Sequence, residues 1–140
     1  KMAIKFKYTT SPTLDTKGRM TKRPMLKLEV VLANGNKIFP LALIDSEADQ
    51  TMVNTAYAKE LGIDLKQASV RPVNGIVGAQ DTLVAPFTLK FVDLHEELIV
   101  PACYIDSPNV NILIGEEGFF DEYRIKFEKD HDTFEISRRK

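Results

Sequence analysis

Leu41-Ala42-Leu43-Ile44-Asp45-Ser46-Glu47-Ala48-Asp49-Gln50-Thr51-Met52-Val53 is the stretch on which the reading of this chain turns. Four apolar residues end in an Asp-Ser pair, and a second apolar run begins after Ala48-Asp49. A carboxylate at the end of a greasy strand is an unusual placement, because burying its charge unpaired is costly. Asp and Ser also open turns readily, since both side chains bond to nearby backbone. Taken alone, Asp45-Ser46 is better read as a turn opener and Asp49 as a surface turn residue. The segment gains chemical meaning only from what the rest of the chain places beside it.

The 140 residues suit a single domain spanning 1–140, long enough for a real hydrophobic core. With 44% apolar and 28% charged residues the composition is that of an ordinary globular protein. A formal net charge of -1 supplies no general basic field, which argues against nucleic acid or anionic lipid as a partner. No apolar run approaches the ~20 residues needed to span a bilayer. Lys1-Met2-Ala3-Ile4-Lys5 lacks the apolar core of a signal peptide, so a cytoplasmic location is expected over a secreted one.

Several chemistries find little support. His95 and His131 lie far apart among charged residues with no second ligand at metal spacing, so both are expected to be exposed and no metal is expected. Gly75-Ile76-Val77-Gly78 lacks the pattern of a phosphate-binding loop. Cys103, the single cysteine, excludes an internal disulfide and reads as a small core residue. The tail Arg138-Arg139-Lys140 reads as solubilising.

Along the chain, Ile4-Lys5-Phe6-Lys7-Tyr8 alternates as a half-buried strand does, and Thr9 to Pro24 reads as a loop. Within that loop Asp15-Thr16-Lys17-Gly18 reads as a solvated turn, having no apolar strand before it. Met25 to Leu32 is a strand, Asn34-Gly35 a two-residue hairpin signal, and Lys37 to Ile44 the return strand. Asn54 or Thr55 caps a short helix that Gly62 stops. Strands follow at Val70 to Gly78, Thr82 to Asp93, Glu97 to Ile105 and Asn111 to Gly115. Glu116 to Tyr123 is expected to be helical, and Arg124 to Ile136 a closing hairpin that turns near Lys129-Asp130-His131-Asp132. The sum is seven to nine short strands with one or two short helices, an all-β domain.

Three separated elements now stand in order: Leu43-Ile44-Asp45-Ser46-Glu47-Ala48, then Val73-Asn74-Gly75-Ile76-Val77-Gly78-Ala79, then Asn111-Ile112-Leu113-Ile114-Gly115 followed by a helix. In this order the chain resembles the retropepsin-like (retroviral-type) aspartic proteases, over roughly residues 23–127. The resemblance implies an acid protease fold, a closed barrel-like subunit that pairs as a homodimer, and hydrolysis of peptide bonds without metal or organic cofactor. It implies Asp45 as the catalytic carboxylate, Ser46, Glu47 and Ala48 as active-site support, and Asp49 as an acceptor for backbone amides of the peptide. It further implies that Gly75, Ile76, Val77 and Gly78 form a flap over the substrate, and that Ile112 to Gly115 pack beneath the catalytic turn. The stoichiometry also follows from chemistry, since two close carboxylates share one proton and act as base and acid. Only Asp45 is placed for that role here, and a two-fold axis supplies its twin.

Glu47 departs from the resembled pattern, which has glycine at that place. If φ were positive there, a glutamate would cost roughly 1–2 kcal/mol in strain. Its side chain would also project toward substrate or twin, and two copies each of Asp45 and Glu47 around one axis would favour protonation of the cluster. Weak or absent peptidase activity is the expectation. The alternative reading is a catalytically silent peptide-binding or dimerisation module that keeps the protease fold. An unrelated small β barrel that binds a ligand is a third.

Overall fold

The computed structural model describes residues 3–73 and 80–139, with the backbone alone at 12, 13, 67, 71–73, 80 and 81. The hairpin expected at Gly75, Ile76, Val77 and Gly78 lies outside the described residues.

The chain opens with β1 (Ile4–Lys7), then β2 (Thr9–Leu14) and β3 (Met20–Arg23), which pair with each other antiparallel. Here the sequence reading of a loop is corrected. Asp15 explains the hairpin: its Oδ1 accepts the N–H groups of Lys17 and Arg19, and its Oδ2 accepts Arg19 Nε. Those donors, the Arg19 N–H foremost, hold its carboxyl below the usual range. The expected solvated turn at 15–18 is therefore present, as the closed tip of a hairpin.

The next segment, β4 (Met25–Lys27), β5 (Val30–Val31), β6 (Lys37–Ile38) and β7 (Leu41–Ile44), breaks two expected strands into four pieces. The turn joining β5 and β6 is not the two-residue type. Gly35 N–H bonds Leu32 O, Leu32 N–H bonds Asn36 O, and Gly35 takes the positive φ of 90° while Asn34 does not. β8 (Thr51–Asn54) runs into α1 (Thr55–Leu61), capped by the Asn54 side chain on Ala56 N–H and ended at Gly62 as expected.

β9 (Ser69–Val73), β10 (Gln80–Phe91) and β11 (Glu96–Ile105) form a long antiparallel ladder, with Phe87 opposite Val100 and Leu89 opposite Leu98. β12 (Ile112–Ile114) follows, then α2 (Phe119–Glu122), β13 (Tyr123–Glu128) and β14 (Thr133–Arg138). α2 is a single turn, shorter than expected, because Gly118 at φ 87° interrupts the helical path and becomes its N-cap.

Seven strands form one sheet in the order β4-β7-β12-β8-β11-β10-β9. Beyond β4 the chain meets β10 again through the bridge Leu28 to Phe91 and the bonds Glu29 N–H to Lys90 O and Val92 N–H to Lys27 O. The sheet thus curls back on itself, linked there by a few bonds and not by a full ladder. β1, β14 and β13 make a separate three-stranded antiparallel sheet from the two ends of the chain. Its inner face stacks Phe6 on Phe134, with rings 5.3 Å apart.

The main core gathers Leu26, Leu28, Ile44, Val53, Leu89, Phe91, Ile114, Phe119 and Phe134. Phe91, Phe119 and Tyr123 meet ring to ring, joining the long ladder to the C-terminal sheet. Tyr123 donates to Glu96, and Arg138 binds both Glu96 and Glu122. Arg139 donates to Phe120 O at 2.6 Å while staying exposed, as Arg138 does. His95 and His131 are exposed and Cys103 is buried, as their sequence contexts implied.

Candidate active site

The Asp45 turn lies between β7 and β8, and both of those strands pair with β12. β12 runs parallel to β7, with Ile114 opposite Ile44, and antiparallel to β8, with Leu113 opposite Met52. A continuous apolar run suits β12 because Ile112 and Ile114 are buried. The three strands hold the turn from below, and each end of it is pinned.

At the entry, Ile44 N–H bonds Pro24 O and Asp45 N–H bonds Ile114 O, both at 2.9 Å. At the exit, Glu116 N–H bonds Ala48 O at 2.8 Å and Glu117 N–H bonds Asp49 O at 2.9 Å. Thr51, fully buried, accepts Gly115 N–H on its Oγ1 at 3.2 Å. Gln50 accepts the Cys103 thiol on its Oε1 at 3.0 Å. Gly115 is the tightest point of the assembly. A Cβ there would sit 2.4 Å from Gln50 O and 2.8 Å from Ala48 O, both backbone atoms of the turn.

Asp45 is half-buried, while Ser46, Glu47 and Asp49 are exposed and Ala48 is half-buried. The Asp45 Oδ1 accepts Glu47 N–H at 2.9 Å, which fixes the carboxylate over its own turn. Positive φ among described non-glycine residues occurs only at His95 and Asp132, so Glu47 carries no left-handed strain. The backbone cost considered for that position is absent. Glu47 is an ordinary turn residue with its side chain in the open.

The turn lines a cleft of about 940 Å³. Ile44, Asp45, Ser46, Glu47 and Pro24 are among its lining residues. Met20, Thr21, Lys22 and Arg23 of β3 line it too, as do Tyr8, Phe127, Lys129 and Asp132. Two ion pairs join lining residues, Arg19 to Asp15 at 3.1 Å and Lys22 to Asp132 at 3.6 Å. Burial, with the Asp132 charge beside it, pushes the Tyr8 phenol above its ordinary pKa. A second concavity of about 360 Å³, bounded by Val30, Leu61, Ile63 and Phe87, holds none of the candidate residues.

No protein-family model matches the chain, and no curated protein matches it by sequence. By structure it is similar to a retropepsin-like aspartic protease from Rickettsia conorii. That match has TM-score 0.55 and 18% identity, and covers 96% of this chain and 98% of the other. The fold is retropepsin-like. A foamy viral protease-reverse transcriptase bound to an RNA/DNA hybrid also aligns, over 66% of this chain and 11% of its own. Its TM-score of 0.45 and 16% identity are too distant to define the fold further.

Within this retropepsin-like fold the structure brings Asp45, Ser46, Glu47, Ala48 and Asp49 onto one turn, with Ile112 to Gly115 beneath it. Sequence reasoning missed Thr51, Gln50 and Cys103 as supports of that turn. A threonine opening an apolar run carries no mark of its bond to a glycine 64 positions away. Among the described residues no cluster of three His, Cys, Asp or Glu side chains is placed to hold a metal. Among them, too, no helix is long and apolar enough to cross a membrane.

Proposed function

We propose that this chain is a retropepsin-like aspartic endopeptidase that works as a homodimer, with Asp45 from each copy forming the acid-base dyad. The observation that carries the proposal is the setting of Asp45. Its carboxylate is half-buried at the end of a core strand, opens onto a cleft, and rests on a turn bonded to the frame at both ends. Such anchoring keeps a charged group at a fixed position, which acid-base hydrolysis demands. One carboxylate activates the water while its protonated twin donates to the leaving amine, so a lone chain is half a site.

The substrate is a peptide held extended by strand-like backbone hydrogen bonds, with Asp49 accepting its amides and Gly75 to Gly78 closing over it. Glu47 attenuates the activity. It adds a carboxylate beside each Asp45, where the dyad needs one proton shared between two acids and no further negative charge. Neither a metal nor an organic cofactor takes part.

A second reading is favoured by that same residue. Glu47 stands exposed on the cleft wall, where the resembled pattern has glycine, as it would in a silent peptide-binding module. A peptide-library digest from pH 4 to 7 separates the two, comparing the chain with Asp45→Asn and Glu47→Gly. Weak cleavage that rises in Glu47→Gly and vanishes with Asp45→Asn is expected. Peptide binding without cleavage by any version overturns the peptidase and leaves the module.

A further inference from the structure

The β2–β3 hairpin is anchored at its base and bare at its end. Ser11 is buried, and the Tyr8 N–H just before the hairpin bonds Asp132 O. Among the described residues the outer half pairs with no other strand, and its cross-strand couple Leu14 and Met20 are each 60% exposed. An isolated two-stranded ribbon is marginal in water, and an exposed apolar couple on it adds to the cost. Yet the tip is tightly built by the Asp15 bonds to Lys17 and Arg19. It is a preformed arm with an unoccupied apolar side.

Charge identifies the occupant. Residues 9–23 carry four cations and one carboxylate, a net +3, in a chain of net -1. The turn lines the same cleft with Asp45 and Glu47, has Asp49 two residues on with no cation between them, and takes the Glu116 N–H on Ala48 O. Arm cations Arg19, Lys22 and Arg23 and turn carboxylates Asp45 and Glu47 thus line one cleft. Among the described residues no arm cation forms an ion pair with a turn carboxylate, since the arm pairs are Arg19 to Asp15 and Lys22 to Asp132.

We propose that the arm clasps the acidic turn of a second copy of this chain. In a two-fold arrangement each turn enters the cleft of the other copy, and each arm closes over the turn that has entered. Arm cations then offset the carboxylates gathered at the axis, Glu47 included, and Leu14 and Met20 pack on the partner. Met20 also becomes part of the peptide-binding wall of the joint site. Glu47 thereby gains a role as the acidic contact of the arm, which explains why a dimer tolerates it. The inference rests on the homodimer of the proposed function.

The test reads association and contact separately. Sedimentation equilibrium compares the chain with Leu14→Ser/Met20→Ser and with Lys17→Glu/Lys22→Glu, with thermal unfolding as the check that each monomer is intact. Both variants are expected to dimerise at least tenfold more weakly, and the parent dimer to weaken as salt rises. Equal mixtures of ¹⁴N and ¹⁵N chains, treated with a carbodiimide, are expected to yield mixed-isotope peptides joining Lys17 or Lys22 to Glu47 or Glu116. A dimer unaffected by the arm variants, or cross-links within single chains only, overturns the arm and spares the homodimer. A parent chain that stays monomeric at high concentration overturns both.

Discussion

Gly115→Ala is a substitution of one methyl group that reaches the candidate site without touching a titrating atom. The added Cβ would lie 2.4 Å from Gln50 O, 2.5 Å from Gln50 C and 2.8 Å from Ala48 O. All three are backbone atoms of the Asp45 turn, so no side chain can swing away. Relief requires the turn and the end of β12 to part, which strains the bonds that Gly115, Glu116 and Glu117 donate to Thr51, Ala48 and Asp49. Overpacking costs roughly 1–3 kcal/mol, and each hydrogen bond lost costs about 1 kcal/mol. A destabilisation of roughly 3 kcal/mol is therefore expected, or about 10 °C in Tm for a chain of this size. Urea denaturation followed by circular dichroism measures it. Gly18→Ala is the control: it meets nothing within 4 Å and bears only the strain of its φ of 77°, about 1 kcal/mol. If Gly115→Ala unfolds within about 0.5 kcal/mol of the parent, the turn is not seated on Gly115 as described.

Three further outcomes concern Thr51 of that contact and two buried tyrosines. Thr51→Val leaves the Gly115 N–H buried without its acceptor and should cost about 1–3 kcal/mol, whereas Thr51→Ser should cost less; chemical denaturation of the pair decides it. The Tyr104 hydroxyl is buried with no hydrogen-bond partner among the described residues, so Tyr104→Phe should raise Tm, and a fall would mean that the hydroxyl is satisfied. Burial, aided by the bond to Glu96, pushes the Tyr123 phenol up to about 12 from 10.0. The neutral form is thus favoured by folding, so this contribution is whole below pH 10 and is lost as pH rises through about 12. Thermal melts of the chain and of Tyr123→Phe across that window should converge at the alkaline end; parallel curves would refute the assignment.

What was legible in the sequence was whatever a local pattern encodes. The apolar run before Asp45, the Asn54 cap with Gly62 after the helix, and the Lys129–Asp132 turn each announce themselves within a few residues. The β2–β3 arm was hidden because its strands are polar and carry Pro12, which reads as loop, while its pairing depends on the Asp15 tip. The supports of the candidate turn were hidden for a different reason. Thr51, Gln50 and Cys103 act through contacts 53 or 64 positions apart, and periodicity carries no information at that range. The partners of Arg138 and Arg139 were hidden in the same way: both are exposed, and Glu96, Glu122 and Phe120 lie 16 to 42 positions away.

Glu47 shows how structure changes the question a sequence raises. Judged from the pattern, it implies a tolerable backbone strain and a larger problem for function through its side chain and charge. Strain is removed, because its backbone lies outside the left-handed region and its amide bonds the Asp45 carboxylate as any residue's amide would. Only the side chain distinguishes it from glycine, and that side chain is exposed beside the cleft. Its effect is therefore exerted on the Asp45 dyad and on whatever enters the cleft. If peptide alone enters, Glu47 is an obstacle and an extra negative charge. If a second copy enters with a basic arm, the same carboxylate is a contact, and Glu47→Gly should raise turnover while weakening the dimer. Those two quantities moving in opposite directions is a result that neither a mere obstacle nor a mere turn residue produces.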